Sequence, residues 1–147
     1  MGAKYLDERT YDTGDIVFSE GDEGSEMFIV QEGKVVLTKQ VAGRDVFLAA
    51  AERGDFFGET ALFESQTRRA SCSALMPSRL LAIRSGELLI KLRRDPTLAF
   101  EMLQQMSRRI TYLESTLAST MEEELASRQE FARILATAEY RRGDDPA

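Results

Sequence analysis

From residue 16 to residue 83 the chain alternates between short apolar, β-branched runs and glycine-bearing turns, a pattern that predicts strands. The runs fall at residues 16–18, 27–32, 34–41, 45–51, 69–76 and 78–83, with a polar, mildly β-forming stretch at 4–11 before them. Between them stand Asp12-Thr13-Gly14-Asp15, a loop at 20–25 with Gly21 and Gly24, Gly33, and Ala42-Gly43-Arg44, while Pro77 separates the last two runs. Regularly spaced short strands with tight turns argue for a sandwich or roll.

After Ser85 the period changes from two to between three and four. Ser85 is placed to cap a helix over 85–92, and Asp95-Pro96 stops it and opens another, with Asp95 as cap and Pro96 in the first helical position. In this second helix Leu103, Met106, Ile110, Leu113 and Leu117 recur at steps of three and four, the spacing of a coiled-coil seam. Residues 97–121 would extend about 37 Å at ~1.5 Å per residue, more than a small roll needs for its own cover. The seam therefore predicts a homodimer; its competitor is an intramolecular core stripe. Glu122-Glu123-Glu124 interrupts the pattern, and Phe131, Ile134, Leu135 and Ala138 form one more apolar face. The expected organisation is a roll over 1–94, a dimerisation helix over 95–124, and a short helical extension with a frayed tail over 125–147.

Composition narrows the function. A chain of 147 residues with 43% hydrophobic content can bury one real core. Its formal charge of −6 and sequence pI near 4.8 argue against general attraction to nucleic acid or an anionic membrane. There is no histidine, which removes the usual general base and the commonest transition-metal ligand, and with them histidine-dependent cupins and serine or cysteine nucleophile systems. The acids at 20–25 lack the spacing of a calcium loop. Cys72 has no partner cysteine and reads as a buried apolar residue of a reducing compartment. No apolar run reaches the ~18 residues of a membrane span, so a soluble cytoplasmic protein with no metal is expected.

The chemistry concentrates at 57–71. Phe57-Gly58-Glu59-Thr60-Ala61-Leu62-Phe63 combines a glycine that lets backbone approach a ligand, an acid and a single helical turn with unpaired N–H groups; Arg68-Arg69-Ala70-Ser71 follows. Arg68 offers a guanidinium fork to phosphate oxygens, and Glu59 an acceptor for neutral hydroxyls beside them. A sugar phosphate has both features.

This stretch resembles the phosphate-binding cassette of cyclic nucleotide-binding domains, through Gly58, Glu59, Ala61, Leu62, Arg68, Ala70 and Ser71. Upstream, Glu20-Gly21-Asp22 with Gly24, Met27-Phe28-Ile29-Val30, Gly33 and Gly54-Asp55-Phe56 fit the family's turns and strands. The resemblance covers residues 10 to 120 or so. It implies a mainly β fold with helices, a jelly-roll-like β-roll followed by a hinge helix and a long helix. It further implies that Arg68 grips the phosphate with the main-chain N–H groups of Ala61, Leu62 and Arg69, and that Glu59 holds the ribose 2′-hydroxyl. Leu37 and Leu48 match an apolar wall beside sugar and base, or else are ordinary core. Arg69 stands where a hydroxyl favours guanine in several family members, which leans the ligand toward cyclic AMP over cyclic GMP. At the helix positions that touch adenine in some relatives this chain has Leu113 and Glu114, leaving Arg109, Thr111 or Tyr112 as substitutes.

The expected function is a sensor or regulatory module, not an enzyme, acting on a dimer partner or a fused or separate effector. About 25 residues after the seam are too few for a helix-turn-helix, so direct DNA binding is not expected. The alternative is a structural dimerisation module whose pocket binds nothing, filled by an Arg68–Glu59 ion pair.

Overall fold

The computed structural model describes residues 7–64 and 66–143. Eight strands form two four-stranded antiparallel sheets. In chain order they are β1 (Asp7–Tyr11), β2 (Ile16–Phe18), β3 (Glu26–Glu32), β4 (Lys34–Val41), β5 (Arg44–Glu52), β6 (Phe56–Phe57), β7 (Ser71–Ala74) and β8 (Ser78–Arg84). One sheet has the order β1-β8-β3-β6 and the other β2-β7-β4-β5. Three helices complete the described residues: α1 (Thr60–Phe63), α2 (Ser85–Arg94) and α3 (Pro96–Gly143). This is the mainly β roll with a following short helix and long helix.

The two sheets face each other across a core of Phe28, Val30, Val35, Ala51, Phe57, Cys72, Leu80 and Ala82. A second cluster forms on the outer face of the first sheet, where Met27, Phe56, Leu81 and Ile83 meet Leu88 of α2 and Met102 of α3. Alternate residues of β3 and β8 thus enter different cores, and a strand covered on both sides reads as a continuous apolar run. Replacing Phe28, 2% exposed, with alanine would cost about 3–5 kcal/mol through lost transfer energy and an unfilled cavity.

Local signals behave as their chemistry dictates at the helix starts. Asp95 Oδ1 accepts the N–H groups of Thr97 at 3.1 Å and Leu98 at 3.4 Å, capping α3 with Pro96 as its first residue. The cap of α2 lies one residue earlier than expected, at Arg84, whose N–H donates to the Glu87 carboxylate at 3.4 Å.

Beyond Leu117 the sequence expectation needs correction. The acidic triplet at 122–124 does not end the helix, and residues 125–143 are no separate extension: α3 is one 48-residue element. Glutamate is a good helix former, so three acids interrupt an apolar stripe without breaking the backbone pattern. The expected frayed tail beyond residue 143 and the start of the polar stretch at 4–6 lie outside the described residues. The chain divides into two compact units at Met102/Leu103, so the first turns of α3 belong with the roll.

Candidate functional site

The site is organised by two antiparallel segments. Gly24 N–H donates to the Gln66 carbonyl at 2.6 Å, Arg68 N–H to Asp22 at 2.8 Å, and Gly21 N–H to Arg68 at 2.9 Å, around a bridge between Glu23 and Thr67. These main-chain bonds fix the backbone of Arg68 and turn its side chain inward. Its guanidinium lies 4.2 Å from the Phe18 ring centroid and 5.7 Å from that of Phe28. Phe28 stacks on both Phe18 and Phe57, which meet each other tilted; the centroids lie 5.4 to 6.1 Å apart and the three rings make an aromatic floor.

Two donors of the fork are used by the protein. Arg68 Nη2 donates to the Glu26 carbonyl at 2.9 Å and Nη1 to the Gly58 carbonyl at 3.2 Å. The residue is only 5% exposed. Burial pushes the guanidinium below the usual arginine range, against the opposing pull of Glu26, Cys72 and Asp22, although an arginine stays charged regardless. Among the described residues no carboxylate forms an ion pair with it; Glu26 is engaged by Arg9 at 2.8 Å. The Arg68–Glu59 ion pair that would fill a closed pocket is therefore not formed.

Glycine makes the close approach possible. A Cβ on Gly24 would stand 2.4 Å from Arg68 Nε, inside any allowed contact, and one on Gly58 would stand 3.0 Å from Nη1. Gly58 also adopts φ +77°, a left-handed turn that hands the chain to α1. Glu59 precedes that helix, half-buried, and its carbonyl accepts the N–H groups of Leu62 at 2.9 Å and Phe63 at 3.1 Å. The Leu62 N–H is thus already engaged, whereas the Ala61 N–H makes a longer 3.3 Å bond to Gly58.

The remaining sequence-predicted residues are placed as follows. Phe57 is buried in the inner core, Ala61 is buried, and Leu62 packs on the outer cluster, with Thr60 opening α1 beside them. Arg69 turns to the surface and pairs with Glu64 at 3.3 Å; its carbonyl accepts Lys39 Nζ at 2.9 Å. Ala70 leads into β7, where Ser71 Oγ accepts the Glu20 N–H at 2.8 Å and ties the 20–24 loop to the cassette. Leu37 packs against the inner core, but Leu48 is 43% exposed. The strand register shows why: Leu37 pairs with Ala49 and Thr38 with Phe47, so Leu48 is the extra residue of a bulge. Arg109 lies on α3 within the 103–147 unit. Sequence reasoning did not assign Phe18 and Phe28 to the arginine, nor Gly24 its clearance role; their only signal was an aromatic at each strand and a glycine at a loop end.

A buried arginine on an aromatic floor, beside a glycine-led helical turn in a β-roll, defines an anion-binding domain of the phosphate-cassette class. Residues 8–95 match the sequence profile of the cyclic nucleotide-binding domain. The chain belongs to that family. It is 30% identical over 135 residues to the cyclic AMP receptor protein of Thermus thermophilus, covering 91% of this chain and 62% of the relative. It is also 38% identical over 71 residues to human cGMP-dependent protein kinase 2, covering 47% of this chain and 9% of the relative. The crystal structure of Thermus thermophilus catabolite activator protein superposes with a TM-score of 0.67 at 31% identity, covering 78% of this chain and 54% of that one. The chain thus spans less than two thirds of the length of these relatives. Among the described residues no cluster of candidate ligands could hold a metal ion, and no helix is long and apolar enough to cross a membrane.

Proposed function

We propose that this chain is a cytoplasmic cyclic nucleotide sensor, with cyclic AMP as its ligand ahead of cyclic GMP. The observation that carries the reading is a nearly buried cation at Arg68 with no carboxylate paired to it among the described residues. Such a charge is electrostatically incomplete, and one phosphodiester anion would complete it. Two of the five guanidinium donors hold the Gly58 and Glu26 carbonyls; the others are those a phosphate would take up. The Ala61 N–H, on its long bond, is the nearest main-chain donor, and Leu62 would have to release the Glu59 carbonyl to join it. The main-chain N–H of Arg69 completes the proposed grip. Glu59 is assigned to the ribose 2′-hydroxyl and Leu37 and Leu48 to the apolar wall, with Ser71 and Ala70 holding the cassette in place.

The function is recognition and transmission, with no covalent chemistry. A ligand that favours one arrangement of the helices after Ser85 shifts their equilibrium, and the exposed row on α3 pairs two copies into a homodimer. The output passes to a fused or separate effector without direct DNA contact by this chain.

Titration calorimetry tests the reading. Cyclic AMP should give saturable heat and cyclic GMP less, and Glu59→Gln should lose the preference for cyclic AMP over its 2′-deoxy analogue. The competing dimerisation module is favoured by one observation, the fork's existing bonds to its own carbonyls. No heat from either nucleotide at millimolar concentration would establish that alternative.

A further inference from the structure

Among the described residues the unit beginning at Leu103 is one helix, so its apolar row has nothing there within the unit to bury against. Counting by sevens from Leu103 gives Ile110, Leu117, Glu124, Phe131 and Ala138; counting from Met106 gives Leu113, Thr120, Ser127 and Ile134. Two apolar blocks therefore share one unbroken heptad register, separated by the polar trio Thr120, Glu124 and Ser127. Phe131 and Ile134 are as exposed as Ile110 and Leu113, at 63%, 56%, 55% and 62%. A stripe that served only the first block would have no reason to resume in phase.

Charge identifies the occupant. In a parallel, in-register pair, the residue before each Leu103-type position faces the residue five further on in the partner. That sets Arg109 against the partner's Glu114, and Glu123 against the partner's Arg128, opposite signs at both sites where both residues are charged. Arg128 also bonds Glu124 in its own chain at 2.7 Å, so the seam carboxylate comes with its own cation. A second copy of this chain fits the face as a partner.

Resting on the homodimer reading above, we propose that two copies pair in parallel and in register along α3 as far as Ala138. The polar trio forms a solvated window that divides the seam into two separately closing halves. The first half follows the family domain in sequence, and the second carries its state on toward Ala138.

Disulfide capture in the full chain tests this, with buried Cys72 left in place. Under mild oxidation Leu113→Cys and Ile134→Cys should each cross-link to its counterpart, and outward-facing Arg133→Cys should not. Linkage at 113 with none at 134, or equal linkage at 133 and 134, overturns the extended pairing while leaving the dimer. A chain that sediments as a monomer and links at neither site overturns the dimer reading as well. Glu124→Leu should tighten the dimer roughly tenfold or more by filling the window with buried apolar surface. An unchanged or weaker dissociation constant would place Glu124 outside the seam and refute the window.

Discussion

Gly24→Ala is the sharpest perturbation of the proposed site, because it adds one methyl group whose three nearest neighbours are all atoms of the arginine. Gly24 is outside the left-handed region, so alanine meets no backbone penalty there. Space is the difficulty. The new Cβ would sit 2.4 Å from Arg68 Nε, 2.6 Å from Cζ and 2.7 Å from Nη2. Relief to ordinary contact moves the guanidinium by about 1 Å. The Nη2 bond to the Glu26 carbonyl then stretches from 2.9 Å beyond bonding range, and the fork slides from its seat over Phe18. A charge-assisted bond is worth about 1.5–3 kcal/mol and partial loss of the cation–π contact about 0.5–1 more. Reduced freedom of the unfolded chain offsets about 0.4–1 kcal/mol, leaving a net destabilisation of ~1.5–3 kcal/mol. With the fork misaligned, cyclic AMP affinity should fall by roughly ten- to a hundredfold. Urea denaturation followed by circular dichroism and titration calorimetry measure the two effects. Gly86→Ala serves as control: nothing lies within 4 Å of the added methyl, which should stabilise α2 and leave affinity unchanged. If Gly24→Ala binds cyclic AMP within twofold of the parent, the guanidinium has no part in the site.

Arg68→Lys keeps the charge and loses the fork; cyclic AMP affinity should drop by roughly a hundredfold with the far-ultraviolet spectrum preserved, and a drop under fivefold would contradict the assignment. Cys72, 1% exposed and with its thiol pushed up to about 12 by burial, should resist thiol reagents at pH 8 until the chain unfolds. Rapid labelling of native protein would refute that burial. At the β1 edge, the bond from Arg9 holds the Asp7 carboxyl below the usual carboxylate range. A lowered folded value stabilises fully above the unfolded value near ~4 and fades as pH falls through the folded one. Asp7→Asn should therefore cost at most ~0.5 kcal/mol at neutral pH, since the pair is solvent-screened, and the gap from the parent should close in acid; a gap that widens in acid is the refuting result.

What was legible in the sequence was local. Glycine turns marked the hairpins, Asp95-Pro96 marked the start of α3, and the Gly58-Glu59 and Arg68 elements stood in one linear stretch. What was not legible depends on distant residues. The two-residue strand β6 exists through its pairing with β3, where Phe57 meets Phe28, and carries no periodicity of its own. The aromatic floor gathers Phe18, Phe28 and Phe57 from three strands, so nothing near Arg68 announces it. The bulge at Leu48 depends on a register that only the β4–β5 pairing sets. The full length of α3 was hidden for another reason: Glu122-Glu123-Glu124 breaks a hydrophobic pattern but favours the helix.

Strand β3 acts as a party wall. Phe28 looks toward the arginine, and Met27, its immediate neighbour, looks toward Leu88 and Met102. The floor of the cradle and the footing of the following helices are thus opposite sides of a single peptide unit, in an interior too closely packed to absorb a shift on one side alone. Consecutive residues of one strand thus carry the ring beneath the arginine and the methionine beneath Leu88, so a shift of β3 as a body moves both layers together.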